Sequence, residues 1–129
     1  MALLLDTTVL IDTLRGRPVA ERLLALRESG EVPYVCAINV EEVARGLRPR
    51  ERSSSLALLA ALRLAPLGVQ EGWRAGEWRR AYAGSGITLG QADCLVAAAA
   101  YGVGARLVTG NPRHFPMTEI AVEHWPVGR

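Results

Sequence analysis

Short apolar runs alternate with stretches of helical spacing along the whole of this 129-residue chain, and that alternation limits the fold more than any other feature. Residues 2–5 end in three leucines and stop at Asp6; VPYVCA, ARLVT and IAVEHW follow further on. Each run is too short for a stable helix, so each reads as a strand. Between them lie TTVLIDTLRG, ending at Gly16, and PVAERLLALRES, opened by Pro18 and closed by Gly30. INVEEVARG then stops at Gly46, and SLALLAALRL, QEGWRAGEWRRAYA and ITLGQADCLVAAAAYG complete the helical segments. Proline just inside a helix start and glycine just past its end mark these boundaries. Thr88, three residues before Gln91, predicts a capping box for the last helix. A further short strand is expected near APLGV, a basic loop over LRPRERSSS and a turn at GNPRHFP. Strands alternating with helices predict an α/β fold with a mostly parallel sheet covered on both faces. In such folds the crevice lies beyond the carboxyl ends of the strands, where Asp6 and Thr109 both stand.

The length suits one compact domain over residues 1–129, and there is no internal repeat or low-complexity tract. Half of the residues are hydrophobic, with charges of both signs spread throughout, a composition that excludes disorder. No apolar run approaches the roughly 20 residues that span a bilayer, and no basic, cleavable leader opens the chain. A soluble protein without membrane association is expected. Cys36 and Cys94 both sit in apolar segments and read as buried thiols, which points to a reducing cytoplasm. Every basic side chain other than histidine is arginine, a usage that a codon bias accounts for and that also suits bidentate phosphate contacts. The net charge of +2 permits nucleic-acid binding without arguing for it.

The chain has three aspartates, Asp6, Asp12 and Asp93. Asp6 closes an apolar strand and precedes a helix, so it either caps that helix or serves the crevice. Asp12 falls on the exposed side of the same helix near Arg15, where a solvated or ion-paired role is expected. Asp93 lies in a helix built almost entirely from alanine, leucine, valine and cysteine. A helix of that kind is buried nearly all round, and a buried carboxylate needs a partner: a helix-end dipole, Arg106 or a cation. In INVEEVARG the apolar stripe is Val40, Val43, Ala44 and Leu47; Glu41 can pair with Arg45, and Glu42 lies opposite the stripe. Glu42 either completes a capping box with Asn39 or faces a cleft. If Asp6, Glu42 and Asp93 gather within about 4 to 6 Å, they raise one another's pKa unless a cation such as Mg²⁺ or Mn²⁺ neutralises them.

LLLDTTVLID, then INVEEVARG, then LGQADCLVAAAAYGVGARLVTGNPRHF together resemble the PIN domain, and specifically the short VapC toxins of toxin–antitoxin pairs. The resemblance implies a three-layer α/β/α sandwich and an Mg²⁺- or Mn²⁺-dependent endoribonuclease, usually a homodimer inhibited by a cognate antitoxin. It places the acids of the site on Asp6, Glu42 and Asp93, with Asn111 holding a water or the RNA substrate and Thr8 and Thr109 orienting the phosphate or water. His114 stands where the family often supplies a further acid, and in a turn before Phe115 it reads as a surface or packing residue. Arg45, Arg48, Arg50, Arg79 and Arg80 are the candidate grip on RNA. Trp73 and Trp78, five residues apart, suit core or dimer packing better than base stacking.

The chemistry implied is hydrolysis of a phosphodiester by a water whose pKa a carboxylate-held cation lowers, leaving 5′-phosphate and 3′-hydroxyl ends. Two other readings remain open: an RNA-processing nuclease outside any toxin–antitoxin pair, and a catalytically weak PIN module that binds RNA or protein. A phosphatase of the haloacid-dehalogenase type is disfavoured, because its second acid would fall on Thr8. A receiver domain lacks its acidic pair here.

Overall fold

The computed structural model describes residues 2–128, and its centre is a five-stranded sheet in the order β3-β2-β1-β4-β5 with all strands parallel. The strands are β1 (Leu3–Leu5), β2 (Tyr34–Val35), β3 (Arg63–Leu64), β4 (Arg106–Thr109) and β5 (Val122–His124). The helices are α1 (Thr7–Leu14), α2 (Val19–Glu28), α3 (Ala37–Gly46), α4 (Arg52–Ala60), α5 (Val69–Gly84) and α6 (Gln91–Gly102). Leu3, Leu4 and Leu5 of β1 register with Arg106, Leu107 and Val108 of β4, so the first and fourth strands form the middle of the sheet.

Successive side chains on a strand point to opposite faces, and the three-leucine run obeys this. Leu4 and Leu107 pack with Ala75, Trp78, Cys94 and the alanines of α6 on one face. Leu5 and Val108 pack with Val9, Leu10, Val19, Leu23 and Val43 on the other. The result is a three-layer sandwich with α5 and α6 on one side and α1 to α4 on the other. The apolar girth of α6 follows from its place in it: Cys94, Val96, Ala97, Ala98, Ala99 and Ala100 are all buried. Gly16 and Gly30 close α1 and α2 with φ of 65° and 88°, a conformation that a side chain strains.

Four local expectations are corrected. The strand expected near APLGV lies earlier, at Arg63–Leu64, an exposed edge pair held by Arg63 N–H to Pro33 O at 2.9 Å. Since neither side chain is buried, it leaves no hydrophobic pattern to read. LRPRERSSS is not all loop: Pro49–Glu51 forms a 3₁₀ turn and Arg52 already begins α4. The Thr88 capping box does not form, because Gly90 occupies the N-cap of α6 with no side-chain cap. Asp12 is buried rather than exposed, accepting the backbone N–H of Gly128 and lying 3.5 Å from Arg17, while Arg15 turns to Glu51.

Candidate functional site

The parallel sheet brings the ends of β1, β2 and β4 to one edge, where Asp6, Asn39, Glu42 and Thr109 stand. Asp6 is bound into the sheet by its backbone, whose N–H donates to Val108 O at 2.8 Å. The residue is only 7% exposed. Oδ1 accepts the Thr7 backbone N–H at 2.9 Å, capping α1, and Oδ2 accepts the Thr109 hydroxyl at 2.7 Å. Asp6 is therefore a helix cap and a crevice residue at once. Burial pushes its carboxyl above the ordinary aspartate value, Thr109 and Thr7 pull it down, and the charge of Glu42 pushes it up again.

Glu42 is oriented by a chain of side chains that the sequence did not announce. The Asn39 amide oxygen accepts the Cys36 backbone N–H at 2.8 Å, its Nδ2 donates to Thr7 Oγ1 at 3.1 Å, and Thr7 donates to Glu42 Oε1 at 2.6 Å. Asn39 is fully buried and Thr7 nearly so. The capping box expected between Asn39 and Glu42 is thus overturned: Cys36 is the N-cap of α3, and Asn39, at the third helical position, reaches back to it. Asn39 and Glu42 share one face of α3 because they are three residues apart, and that spacing was the available signal. Glu41 instead pairs outward with Arg45 at 3.0 Å.

Asp93 lies in the first turn of α6, so the helix dipole favours its charge. Arg106 is not its partner, for that guanidinium turns to Glu123 at 3.3 Å. The nearest cation-capable group is His114, whose Nδ1 lies 3.4 Å from Asp93 Oδ2. The His114 ring is exposed, as expected of a surface residue in that turn. Burial is the first cause that raises the Asp93 carboxyl; His114 lowers it, and Asp6 and Glu42 add to the rise. Gly90 leaves room for this carboxylate, since a Cβ there would come within 3.2 Å of Asp93 Oδ2.

Thr109, fully buried, also accepts the Asn111 N–H at 3.0 Å, and Thr8 accepts the Gly110 N–H at 3.1 Å, so both threonines fix the loop after β4. Asn111 stands exposed at the start of that loop. Of the five arginines, Arg45 reaches within 4.0 Å of Glu42, and Arg79 donates to Leu89 O beside the start of α6. Arg48 and Arg50 are exposed around the turn after α3, and Arg80 lines a hollow on α5 with Trp73. Trp78 is buried in the core, whereas Trp73 is 69% exposed.

The donor set at this edge is three carboxylates that act on one another, and oxygen ligands of that kind suit Mg²⁺ or Mn²⁺. Among the described residues, however, no three carboxylate, imidazole or thiol groups stand close enough together, as they are, to hold a metal ion. The physical reason is visible in each acid: Asp6 is held by Thr109 and Thr7, Glu42 by Thr7, and Asp93 turns toward His114. A small cation that keeps several of its waters fits such an open set.

The chain is similar to known proteins in sequence and in fold. The family described as PIN domain matches residues 3–120. The chain is 36% identical to Ribonuclease VapC10 of Mycobacterium tuberculosis over 91% of this chain and 88% of that protein. It is likewise 36% identical to Ribonuclease VapC19 of the same organism, over 88% of this chain and 92% of that protein. The solved structure of DNA-bound VapBC from Salmonella typhimurium superposes with a TM-score of 0.83 at 25% identity, covering 97% of this chain and 98% of that one.

Proposed function

Because the chain belongs to the PIN-domain family, we propose that it is an Mg²⁺- or Mn²⁺-dependent endoribonuclease, the toxin of a type II toxin–antitoxin pair, acting in the cytoplasm as a homodimer. The observation that carries this reading is that Asp6 and Asp93 stand with Glu42 at the end of the sheet, where burial first and neighbouring carboxylate charge second oppose ionisation of the two aspartates. Such a site is costly without a cation and well suited to one. When bound, the cation supplies Lewis acidity at the phosphate and a more acidic water.

The residues of the chain do the rest. Asp6 and Asp93 would hold the ion, with Glu42 beside them. Thr109 and Thr7 keep Asp6 and Glu42 aimed, since their hydroxyls donate to those carboxylates. Thr8 spends a lone pair on the Gly110 N–H, which leaves its proton free to donate to a phosphate oxygen or a water. Asn111 offers an exposed amide beside them, and Arg45 and Arg79 flank the acids where RNA phosphates approach. Arg48, Arg50 and Arg80 extend that basic surface. Attack by water on phosphorus, with cleavage of the P–O3′ bond and protonation of the departing 3′-oxygen, leaves 5′-phosphate and 3′-hydroxyl ends.

A protein partner is supported by the VapBC complexes that the fold matches and by an apolar groove of about 270 Å³ lined in part by Leu23, Leu24, Leu58 and Leu62. The reading is tested by RNA cleavage with Mg²⁺ or Mn²⁺, with EDTA, and with Asp6→Asn and Asp93→Asn. Cleavage that needs the ion and fails in both variants supports it; undiminished cleavage by both variants overturns it.

A further inference from the structure

Resting on the reading of the sheet edge as the place of RNA cleavage, we propose that Asp12 is a positioning residue for it. By holding the C-terminal segment, Asp12 straps down the start of the loop after β4, which carries Asn111. Asp12 is buried on α1 yet stands apart from the acids of the edge. A buried carboxylate is costly unless it is bonded, so its use lies in the bonds it makes. Oδ2 accepts the Gly128 backbone N–H, and Oδ1 lies 3.5 Å from the half-exposed Arg17. A chain end is ordinarily loose unless it is tied down, and a charged acceptor ties it more strongly than a neutral one.

The path of the tied segment gives the bond its consequence. The buried Trp125 donates its backbone N–H to Thr109 O at 2.9 Å. Two residues on, Val127 passes so close to Gly110 that a Cβ there would come within 2.6 Å of both methyls. Gly110 is not among the glycines of positive φ, so clearance for Val127, not backbone conformation, is what a glycine supplies. From the other side, Thr8 accepts the Gly110 N–H at 3.1 Å and Thr109 accepts the Asn111 N–H at 3.0 Å. Thr8 and Asp12 are four residues apart and share one face of α1. That face therefore grips the loop through one residue and the strap above it through the other.

Hydrogen exchange of the Gly110 and Asn111 amides, followed by ¹⁵N NMR on the full chain without RNA or cation, tests the strap. Both amides are expected to exchange about tenfold faster in Asp12→Ala. Asp12→Asn, whose amide oxygen still accepts the Gly128 N–H, should stay near the wild type. Val127→Ala, at a partly exposed position that folding tolerates, should quicken the same two amides. The Asp6 and Leu107 amides, bonded within the sheet, should keep their rates in all three variants. In RNA cleavage with Mg²⁺, kcat is expected to fall roughly tenfold in Asp12→Ala with KM little changed, and Asp12→Asn should recover it. Loop exchange that is unchanged, or that quickens only in step with Asp6 and Leu107, overturns the strap. Quickened loop exchange with unaltered cleavage overturns the positioning role. A wild type that cleaves no RNA while its variants still loosen the loop overturns the ribonuclease reading and leaves the strap standing.

Discussion

The Thr109 hydroxyl donates to Asp6 Oδ2 at 2.7 Å and so ties together the ends of β1 and β4, two strands whose sequences lie a hundred residues apart. Both residues are buried, and the same threonine oxygen accepts the Asn111 N–H. Thr109→Val keeps the shape and removes both interactions. Stability is expected to fall by about 1–3 kcal/mol in urea denaturation, and Thr109→Ser should recover most of it. Since Thr109 holds the Asp6 carboxyl down, the valine variant should also need a higher pH to reach half-maximal RNA cleavage.

The raised carboxyls of Asp6 and Asp93 give the cation-free protein a defined pH dependence. Their folded-state pKa values lie above the ordinary 3.8, so between the two the folded chain binds more protons than the unfolded one. Stability then falls as pH rises through that window. Glu51 and Glu123, lowered by their hydrogen bonds, act below 4.5 with the opposite sign. Thermal melts in EDTA should therefore show Asp6→Asn gaining on the wild type as pH rises above the ordinary aspartate value. A difference that is flat with pH would remove the basis for a strained Asp6.

The chain Cys36–Asn39–Thr7–Glu42 supports Glu42 from outside the candidate ligands. Thr7→Val deletes its central hydroxyl, leaving Glu42 without that donor. Mn²⁺ affinity measured by calorimetry is expected to drop roughly tenfold, with a similar loss of cleavage. Asn39→Ala should cost about 1–3 kcal/mol as well, because it strands the buried Cys36 N–H.

Gly110 lies directly under the C-terminal segment: a Cβ there would come within 2.6 Å of both Val127 methyls. Gly110→Ala is expected to destabilise the protein by about 1–3 kcal/mol through overpacking. Val127→Ala should restore much of that loss. A double-mutant cycle checks the coupling, and strictly additive effects would show that the tail does not bear on the loop.

The acids were legible individually, each for its own reason. Asp93 stood out because α6 is apolar on every side, and Asp6 because a buried strand stops at it. Thr7 and Asn39 were not legible as a support, since their partner groups come from α1, the start of α3 and Glu42 and meet only after the strands pair. His114 read as a surface residue because a turn gives no periodicity from which to infer its direction.

The alternation of apolar runs and helical spacing by itself determined an α/β chain with a central parallel sheet, because local pattern and handed crossovers leave few other ways to bury those runs. The same sequence determined the exposed Glu41–Arg45 pair, which depends only on helical spacing. Tertiary structure decided the rest: that Asp12 is buried against the C-terminal segment, that Arg106 serves Glu123, and that Asp6 meets Thr109 and Asp93 meets His114. These contacts join residues from separate elements, and their energies depend on burial and distance, which come into being only when the sheet brings its carboxyl ends together.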